Sequence, residues 1–289
     1  MRADRPSLTA SLVAALRALY TEMPEPYRLA ADPAAERLVP RLLALPASAV
    51  ARAPSAAGAV HRGLGLATRG LSYHVPLRTR ALDDAIRDAI AAGAAQLVIL
   101  GAGLDSRAMR MKELSAVEVY EVDHPSTQRY KLARLARCPA PPLARALARV
   151  AVDFERDRLD QALPAAGFRA DVPAIWVWEG VTVYLTRQAI QGTLRVVRAL
   201  SAPGSRIALT YFRDGAVPAW AVRVAAGLLA AAGEPLRAAI TPGEMAALLA
   251  EAGLALRSDE STLDWGARYW PWQRGVREVE RLAIAERIP

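Results

Sequence analysis

The sequence predicts an α/β fold built around a doubly wound, mostly parallel sheet of seven strands. From residue 96 onwards, short β-rich runs alternate with segments of helical periodicity, which is the pattern of parallel strands joined by crossover helices. The first run, QLVIL, leads into the glycine pair of LGAGLDSR, as strands often do where a sheet binds a nucleotide. The chain has 289 residues, 53% of them hydrophobic, so it can bury one large core with a modest helical attachment.

Seven segments carry the strand signal. They are QLVIL (96–100), VEVYEV (117–122), RVAVDF (149–154), AIWVWE (174–179), RIALTYF (206–212), GLALRSDES (253–261) and RLAIAERI (281–288). A helix from Arg78 leads directly into the first segment, and helical segments alternate with the strands that follow, which predicts parallel pairing. The last two segments close the chain and are suited to an antiparallel edge.

The residues before the sheet have a helical pattern. The segment from 7 to about 70 contains no strand-like run, and its leucines recur at helical spacing. We therefore predict a helical N-terminal cap over residues 1–75. The second predicted domain spans residues 76–289 and contains the sheet, with a helical insert at about 213–250.

The net charge of +8 at pH 7 and the pI near 10.1 raise the question of a polyanionic partner. Phosphate binding needs a contiguous basic patch, whereas the basic residues are dispersed along the chain. All 37 of them except Lys112 and Lys131 are arginine, which together with the abundant alanine indicates a general compositional bias. We therefore expect no nucleic-acid partner.

The single cysteine, Cys138, rules out an internal disulfide, and the three histidines are scattered, so no metal site is expected. The longest apolar stretch, from Ala216, is interrupted by Pro218 and Arg223, whereas a membrane span needs about 20 apolar residues. Arg17 interrupts the N-terminal apolar run, which is typical of an amphipathic helix and not of a signal peptide. We expect a cytoplasmic protein with no membrane partner.

The glycine turn and an acid after the second strand indicate a nucleotide site. Gly101 and Gly103 lack side chains, so they permit a tight turn and close approach of a ligand to the backbone. Asp123 follows the second strand, 22 residues after Gly101, where a carboxylate can accept hydrogen bonds from the two hydroxyls of a ribose. In the alternative interpretation, the glycines only end the strand and the acid is only solvated.

A further acid ends the third predicted strand. Asp153 can accept a hydrogen bond from the exocyclic amine of adenine while Phe154 packs nearby. An N-cap role in the following turn is the alternative interpretation of Asp153. Up to this point the pattern suits a nicotinamide dinucleotide as well as S-adenosylmethionine.

Three features favour S-adenosylmethionine. Ser106 stands where the dinucleotide fingerprint has its third glycine, which permits close packing of helix on strand. The strand pair at the end of the chain is unlike the usual second mononucleotide-binding half. Glu179, at the end of the fourth strand, would stabilise a cationic ligand, and S-adenosylmethionine carries both an ammonium and a sulfonium group.

The motifs LGAGLDSR, YEVDHPSTQRYK, VDFERD and WEGVTVYLT together resemble the leucine carboxyl methyltransferase family of S-adenosylmethionine-dependent O-methyltransferases, including bacterial members linked to polyketide and other secondary metabolism. The segments LTASLVAALRAL, DPAAERLV and LRTRALDD are similar to the same family, so the resemblance extends over most of the chain. It implies the Rossmann-like class I methyltransferase fold. The four motifs are specific for the family and not for a substrate.

The resemblance also implies roles for individual residues. Those of the cofactor site are Gly101, Gly103 and Asp105 near the methionyl group, Asp123 at the ribose, Asp153 and Phe154 at the adenine, and Glu179 close to the methionyl end. Phe154 stands where the family usually has leucine, a change that keeps an apolar contact.

The resemblance also implies basic residues that bind the carboxylate of the cofactor. Arg78 is the best match to the family's carboxylate-binding arginine, because the planar guanidinium suits a bidentate contact, and Arg80 is the alternative two residues away. Arg17 occupies the place of a basic residue in the first helix. Tyr184 lies in the fourth motif and could orient the substrate, or its ring could belong to the core.

The resemblance implies transfer of a methyl group to a carboxylate or hydroxyl of a small-molecule acceptor. An ionised carboxylate would need no general base, so positioning and exclusion of water would set the rate. The alternatives from other classes are an NAD(P)-dependent oxidoreductase and a non-catalytic S-adenosylmethionine-binding protein.

Overall fold

The structure is a computed structural model that describes residues 8–137, 139, 141–153, 156–215, 236–237 and 239–288. Its strands are β1 (Gln96–Leu100), β2 (Glu118–Asp123), β3 (Ala146–Ala151), β4 (Ala174–Trp178), β5 (Arg206–Phe212), β6 (Ala255–Ser261) and β7 (Glu280–Glu286). Its α-helices are α1 (Leu8–Glu22), α2 (Ala35–Leu38), α3 (Arg41–Arg52), α4 (Ala57–Ala67), α5 (His74–Ala91), α6 (Arg107–Arg110), α7 (Pro125–Arg137), α8 (Leu159–Ala165), α9 (Arg187–Ala199), α10 (Pro242–Glu251) and α11 (Thr262–Tyr269).

The seven strands form one sheet with the order β3-β2-β1-β4-β5-β7-β6. Strands β1 to β5 pair in parallel, and β7 lies antiparallel between β5 and β6. This order confirms the predicted doubly wound sheet with an antiparallel end. The chain moves outward from β1 in one direction and from β4 in the other, so the carboxyl ends of these two strands border the crevice where such sheets bind ligands.

The direction of β7 brings one more residue to this crevice. Glu280, the first residue of β7, pairs with Phe212, the last residue of β5. Because β7 runs against its neighbours, its first residue lies at the edge where the parallel strands end. A carboxylate near the end of the chain therefore reaches the same edge as the glycine turn after β1.

The third strand begins and ends three residues earlier than predicted. It was expected over 149–154 and lies at Ala146–Ala151, paired with β2 from Glu118 to Asp123. Since β2 ends at Asp123, the pairing stops at Ala151, and Asp153 lies in the connection that follows. The other six strands agree with the prediction to within two residues.

Helices α1 to α4 precede α5, which begins at His74, four residues before the predicted start. The boundary between cap and sheet domain at residue 75 stays a prediction. Most of the helical insert predicted at about 213–250 falls on residues 216–235, which lie outside the described residues. None of the helices in the described part of the chain has the length and hydropathy of a membrane span.

Strands β1 and β4 are buried over their whole length. Successive residues of a strand point to opposite faces, so each strand contributes to two hydrophobic layers. One layer contains Leu97, Ile99, Ile175 and Val177 together with Leu82 and Ile86 of α5. The other contains Val98, Leu100, Trp176 and Trp178 together with Ile190 and Leu194 of α9. The centre of the sheet is therefore covered by helices on both faces.

Replacing Trp176 by alanine should lower the free energy of unfolding by about 3–5 kcal/mol, because this large side chain is 0% exposed in the central strand β4. Urea unfolding followed by circular dichroism measures the change. Leu256→Ala on β6, where the side chain is 40% exposed, serves as the control and should cost less than about 1 kcal/mol. Equal losses in the two variants would contradict the central position of Trp176.

Candidate functional site

The glycine turn after β1 has a backbone conformation that needs glycine. Gly101 and Gly103 have φ angles of 67° and 49°, in the left-handed region. A Cβ atom on Gly101 would lie 2.5 Å from Cγ2 of Val181, so a larger residue there would clash with the segment after β4. The turn is thus tight and packs against Val181 after β4, while the predicted close approach of a ligand to its backbone stays a prediction.

Asp123 ends β2 beside this turn, where the sequence places it. The Gly103 N–H donates a hydrogen bond to Oδ2 of Asp123, and the His124 N–H donates to Oδ1 at 2.6 Å. Burial raises the pKa of Asp123, and these two donors oppose the rise. Each carboxylate oxygen has a second lone pair, so the side chain retains capacity for the hydroxyls of a ribose.

Glu179 follows β4 and lies between two arginines. Its Oε1 accepts a hydrogen bond from Nε of Arg78 at 2.9 Å, and its Oε2 accepts one from Nη1 of Arg107 at 2.8 Å. Burial alone would raise the pKa of Glu179, but the positive charges of Arg107 and Arg78 lower it far below the ordinary value. Glu179 is therefore a fixed anion at the carboxyl edge of the sheet.

The two candidate arginines of α5 lie on opposite sides of the helix. Arg78 is 4% exposed, and besides Glu179 its Nη1 contacts both carboxylate oxygens of Glu280 at 2.9 and 3.1 Å. Arg80 pairs with Asp84 on the surface, where its side chain is 40% exposed. Residues two apart on a helix are about 200° apart, so only one of the two can face the crevice, and it is Arg78.

Arg107 is a central residue of the site that the sequence interpretation missed. Its side chain is 0% exposed and contacts the carboxylates of Asp83 (2.9 Å), Asp105 and Glu179 (2.8 Å). Its Nη2 has no hydrogen-bond partner within the described part of the chain. Asp105, predicted near the methionyl group, here accepts hydrogen bonds from the Arg107 side chain and N–H, and its role in binding stays a prediction.

A signal for this pairing was present in the sequence. Asp83 lies between Leu82 and Ile86 on the apolar face of α5, and an acid on a buried face needs a partner. Arg107 and Arg110 supply that partner, at 2.9 Å and 2.6 Å from the Asp83 carboxylate. Glu280 gave no such signal, because its position depends on the register of β7 against β5.

The charges that are linked by ion pairs around the crevice do not cancel. They comprise the carboxylates of Asp32, Asp83, Asp105, Glu179 and Glu280 and the guanidinium groups of Arg17, Arg78, Arg107 and Arg110. His74 lies 3.8 Å from Glu280, and burial lowers its pKa, so it is neutral at neutral pH. Five anions against four cations leave one excess negative charge in this described cluster, which favours a cationic ligand.

Arg17 connects helix α1 to the glycine turn. Its Nη2 donates to the Leu104 carbonyl at 2.6 Å, and its Nε lies 3.2 Å from the Asp32 carboxylate. Ser106, the residue in place of a third glycine, donates to the same carboxylate at 2.6 Å. A small cavity of about 10 Å³ lies beside Arg17 and Asp32.

The predicted adenine-binding acid lies close to the ribose-binding one. Asp153 follows the end of β3, and its carboxylate is 3.9 Å from Nε2 of His124, the residue next to Asp123. The Asp153 N–H donates to Asp157 at 2.8 Å. Phe154 lies outside the described residues. The contact through His124 places the two acids on one side of the crevice, while their ligands stay predictions.

Tyr184 lies in the short 3₁₀ turn Thr182–Tyr184 that follows Glu179. Its ring is half-buried, between the exposure of a core residue and that of a surface residue. The turn is fixed by Thr182, which is buried and donates to the Thr210 carbonyl at 2.8 Å. A role of Tyr184 in orienting a substrate stays a prediction.

The donor set fits S-adenosylmethionine. An α-amino acid group carries an ammonium and a carboxylate, and Glu179 and Arg78 present the two complementary charges 2.9 Å apart. The excess negative charge of the cluster matches the net positive charge of this cofactor. Asp123 and the glycine turn provide acceptors and space for a ribose next to these charges.

Comparison with known proteins also indicates S-adenosylmethionine as the cofactor. The family model described as leucine carboxyl methyltransferase matches residues 10–198. A protein of Mycobacteroides abscessus named as an S-adenosyl-L-methionine-dependent methyltransferase is 38% identical over 204 residues, which are 69% of this chain and 65% of that protein. A protein of Mycobacterium marinum with the same name is 39% identical over 209 residues, 72% and 67% of the two chains. The chain spans between 42% and 67% of the length of the mycobacterial relatives.

Two crystal structures share the fold over almost the whole chain. One, from Thermobifida fusca and described as a methyltransferase, has a TM-score of 0.59 and 19% identity and covers 99% of this chain and 96% of its own. The other, a DUF574 family protein from Streptomyces avermitilis, has a TM-score of 0.62 and 18% identity and covers 98% of each chain. Likeness at this identity shows the fold alone, which is the Rossmann-like fold of class I methyltransferases.

Replacing Glu179 by glutamine should destabilise the protein at pH 7 by about 3–5 kcal/mol, because it leaves two buried arginines short of a counterion. A carboxyl group with a lowered pKa stabilises the folded state above its unfolded pKa and loses this effect as the pH falls. The deficit of Glu179→Gln should therefore shrink below about pH 4. Urea unfolding at several pH values measures it, and a deficit independent of pH would exclude Glu179 as the buried anion.

Proposed function

This chain belongs to the leucine carboxyl methyltransferase family, and we propose that it transfers the methyl group of S-adenosylmethionine to an oxygen atom of a small molecule. The observation that carries the proposal is the ion pair of Arg78 and Glu179, which lies next to the glycine turn and Asp123 at the carboxyl edge of the sheet. This arrangement supports recognition of an amino acid group and a ribose within one ligand. A polyketide or another secondary metabolite with an acidic oxygen is the acceptor class that we propose.

The residues of the chain would bind and orient the reactants. Asp123 accepts the ribose hydroxyls, and Glu179 and Arg78 hold the amino acid group. S-adenosylmethionine, when bound, supplies an electrophilic methyl group on a positively charged sulfur. Rate acceleration then depends on an in-line approach of the acceptor oxygen at about 3–3.5 Å in a site closed to water. Helix α1, which Arg17 fastens over the turn, is the described element suited to that closure.

The chemistry of the acceptor decides whether a proton must be removed. A carboxylic acid is already ionised at neutral pH and can attack without a general base. A phenol or alcohol reacts better when a base takes its proton. Among the described residues, Arg78 and Arg107 lower the pKa of Glu179, the carboxylate after β4, and so make it a poor base. This favours a carboxylate acceptor over a hydroxyl.

Asp123→Asn should weaken binding of S-adenosylhomocysteine by roughly 10- to 100-fold, because a charged acceptor for the ribose hydroxyls is lost. Isothermal titration calorimetry of the folded variant measures the change. Asp171→Ala, at an exposed position before β4, is the control and should bind like the unaltered protein. Binding of NADH without binding of S-adenosylmethionine would contradict the proposal and favour an oxidoreductase.

Incubation with radiolabelled S-adenosylmethionine and a panel of carboxylic acids and phenols should transfer label to an acceptor, and to carboxylates in preference. Asp123→Asn should reduce the transfer at subsaturating cofactor because it binds the cofactor less tightly. Tight binding of the cofactor without transfer to any member of a broad panel would instead support a non-catalytic binding protein.

A further inference from the structure

Helix α3 is apolar on two opposite sides. Ala44, Ala47 and Val50 are buried, and this side packs on α1 through clusters that contain Ala14 and Ala18. A helix that is apolar all round normally lies in an interior. In α3 only one of the two apolar sides is covered by the described part of the chain.

The uncovered side forms a continuous stripe, here called the α3 stripe. It consists of Leu42, Leu45, Pro46 and Ala49, which are all exposed and follow the spacing of one helix face. Leu42 is 79% exposed and Leu45 58%, far above the exposure of leucines that cover a core. Single exposed leucines are common at protein surfaces, but a helical stripe of them indicates a surface with a partner.

Basic residues border the α3 stripe at both ends. Arg41 and Arg52 are exposed at the first and last positions of the helix, and the exposed acid beside α3, Glu36, accepts a hydrogen bond from Ser48 at 3.0 Å. From residue 37 to residue 82 the sequence has no aspartate or glutamate and has seven arginines, of which Arg78 is buried in the crevice and Arg80 pairs with Asp84. The general arginine bias of the chain does not explain a segment of 46 residues without an acid.

In place of the sequence-based expectation of no membrane partner, we propose that the α3 stripe and its arginines dock onto an anionic lipid surface. An apolar helix face between cationic side chains suits a helix lying in the plane of a membrane interface, with leucines in the acyl region and arginines at the headgroups. A second copy is disfavoured as the occupant, since a symmetric contact would bring the arginines of two copies together.

The docked helix would lie next to the cofactor crevice. The covered side of α3 packs on α1, and α1 carries Arg17, which donates to the Leu104 carbonyl after the glycine turn. A surface bound at α3 is therefore one helix layer away from the crevice. This docking does not depend on the proposed methyl transfer and can be tested separately.

Sedimentation of the full chain with vesicles of phosphatidylcholine, with and without phosphatidylglycerol, tests the proposal. We expect binding to the anionic vesicles only, weakened by salt. Leu42→Ser with Leu45→Ser should reduce binding at least tenfold, roughly the effect of removing two large apolar side chains. Arg41→Gln with Arg52→Gln should also weaken it by roughly tenfold.

Matched controls are Leu256→Ser, at a leucine 40% exposed on β6, and Arg195→Gln, at an exposed arginine on α9. Both should bind vesicles like the unaltered protein, and all variants should keep its unfolding transition and its affinity for S-adenosylhomocysteine. No binding to anionic vesicles, or equal binding by the Leu42/Leu45 variant, would overturn the proposal. A dimer in light scattering that this variant abolishes would also overturn it, in favour of a second copy.

Discussion

The contact of Glu179 with Arg78 and Arg107 is the interaction on which the crevice depends. Each of the three groups is buried, and a buried charge is tolerated only when it is paired and hydrogen-bonded. Glu179 follows β4, Arg78 belongs to α5, and Arg107 begins α6, so one carboxylate holds three elements in register. The apolar layers of the sheet fix the positions of the strands. The contacts of Glu179 with Arg78 and Arg107 fix the positions of β4, α5 and α6 relative to one another at the crevice.

The antiparallel end of the sheet completes this network. Because β7 runs against β5, Glu280 reaches the edge where the parallel strands end and takes up the second donor of Arg78. An all-parallel sheet would have placed the first residue of its last strand at the opposite edge. The antiparallel β7, which distinguishes this sheet from a dinucleotide-binding one, thus adds a negative charge at the crevice.

The fold and the acids at the ends of β2 and β4 could be predicted because they follow from local patterns. Alternation of strand and helix set the sheet, and Asp123 and Glu179 lie at strand ends, which the topology brings together. Arg107 could not be assigned in the same way, because its role depends on acids from three separate segments. Which of Arg78 and Arg80 faces the crevice could not be predicted either, because it depends on the orientation of α5 about its own axis. The third strand was misplaced because its end depends on its partner β2 and not on its own residues.

The bond from Arg17 to the Leu104 carbonyl has a kinetic consequence. In the closure that we propose, helix α1 releases this contact when the cofactor enters and re-forms it afterwards. Association is then slower than diffusional encounter, and a bound molecule stays long. In the methyl transfer that we propose, release of the spent cofactor under α1 would then limit turnover, so the contacts between α1 and the turn would set the residence time as well as the affinity.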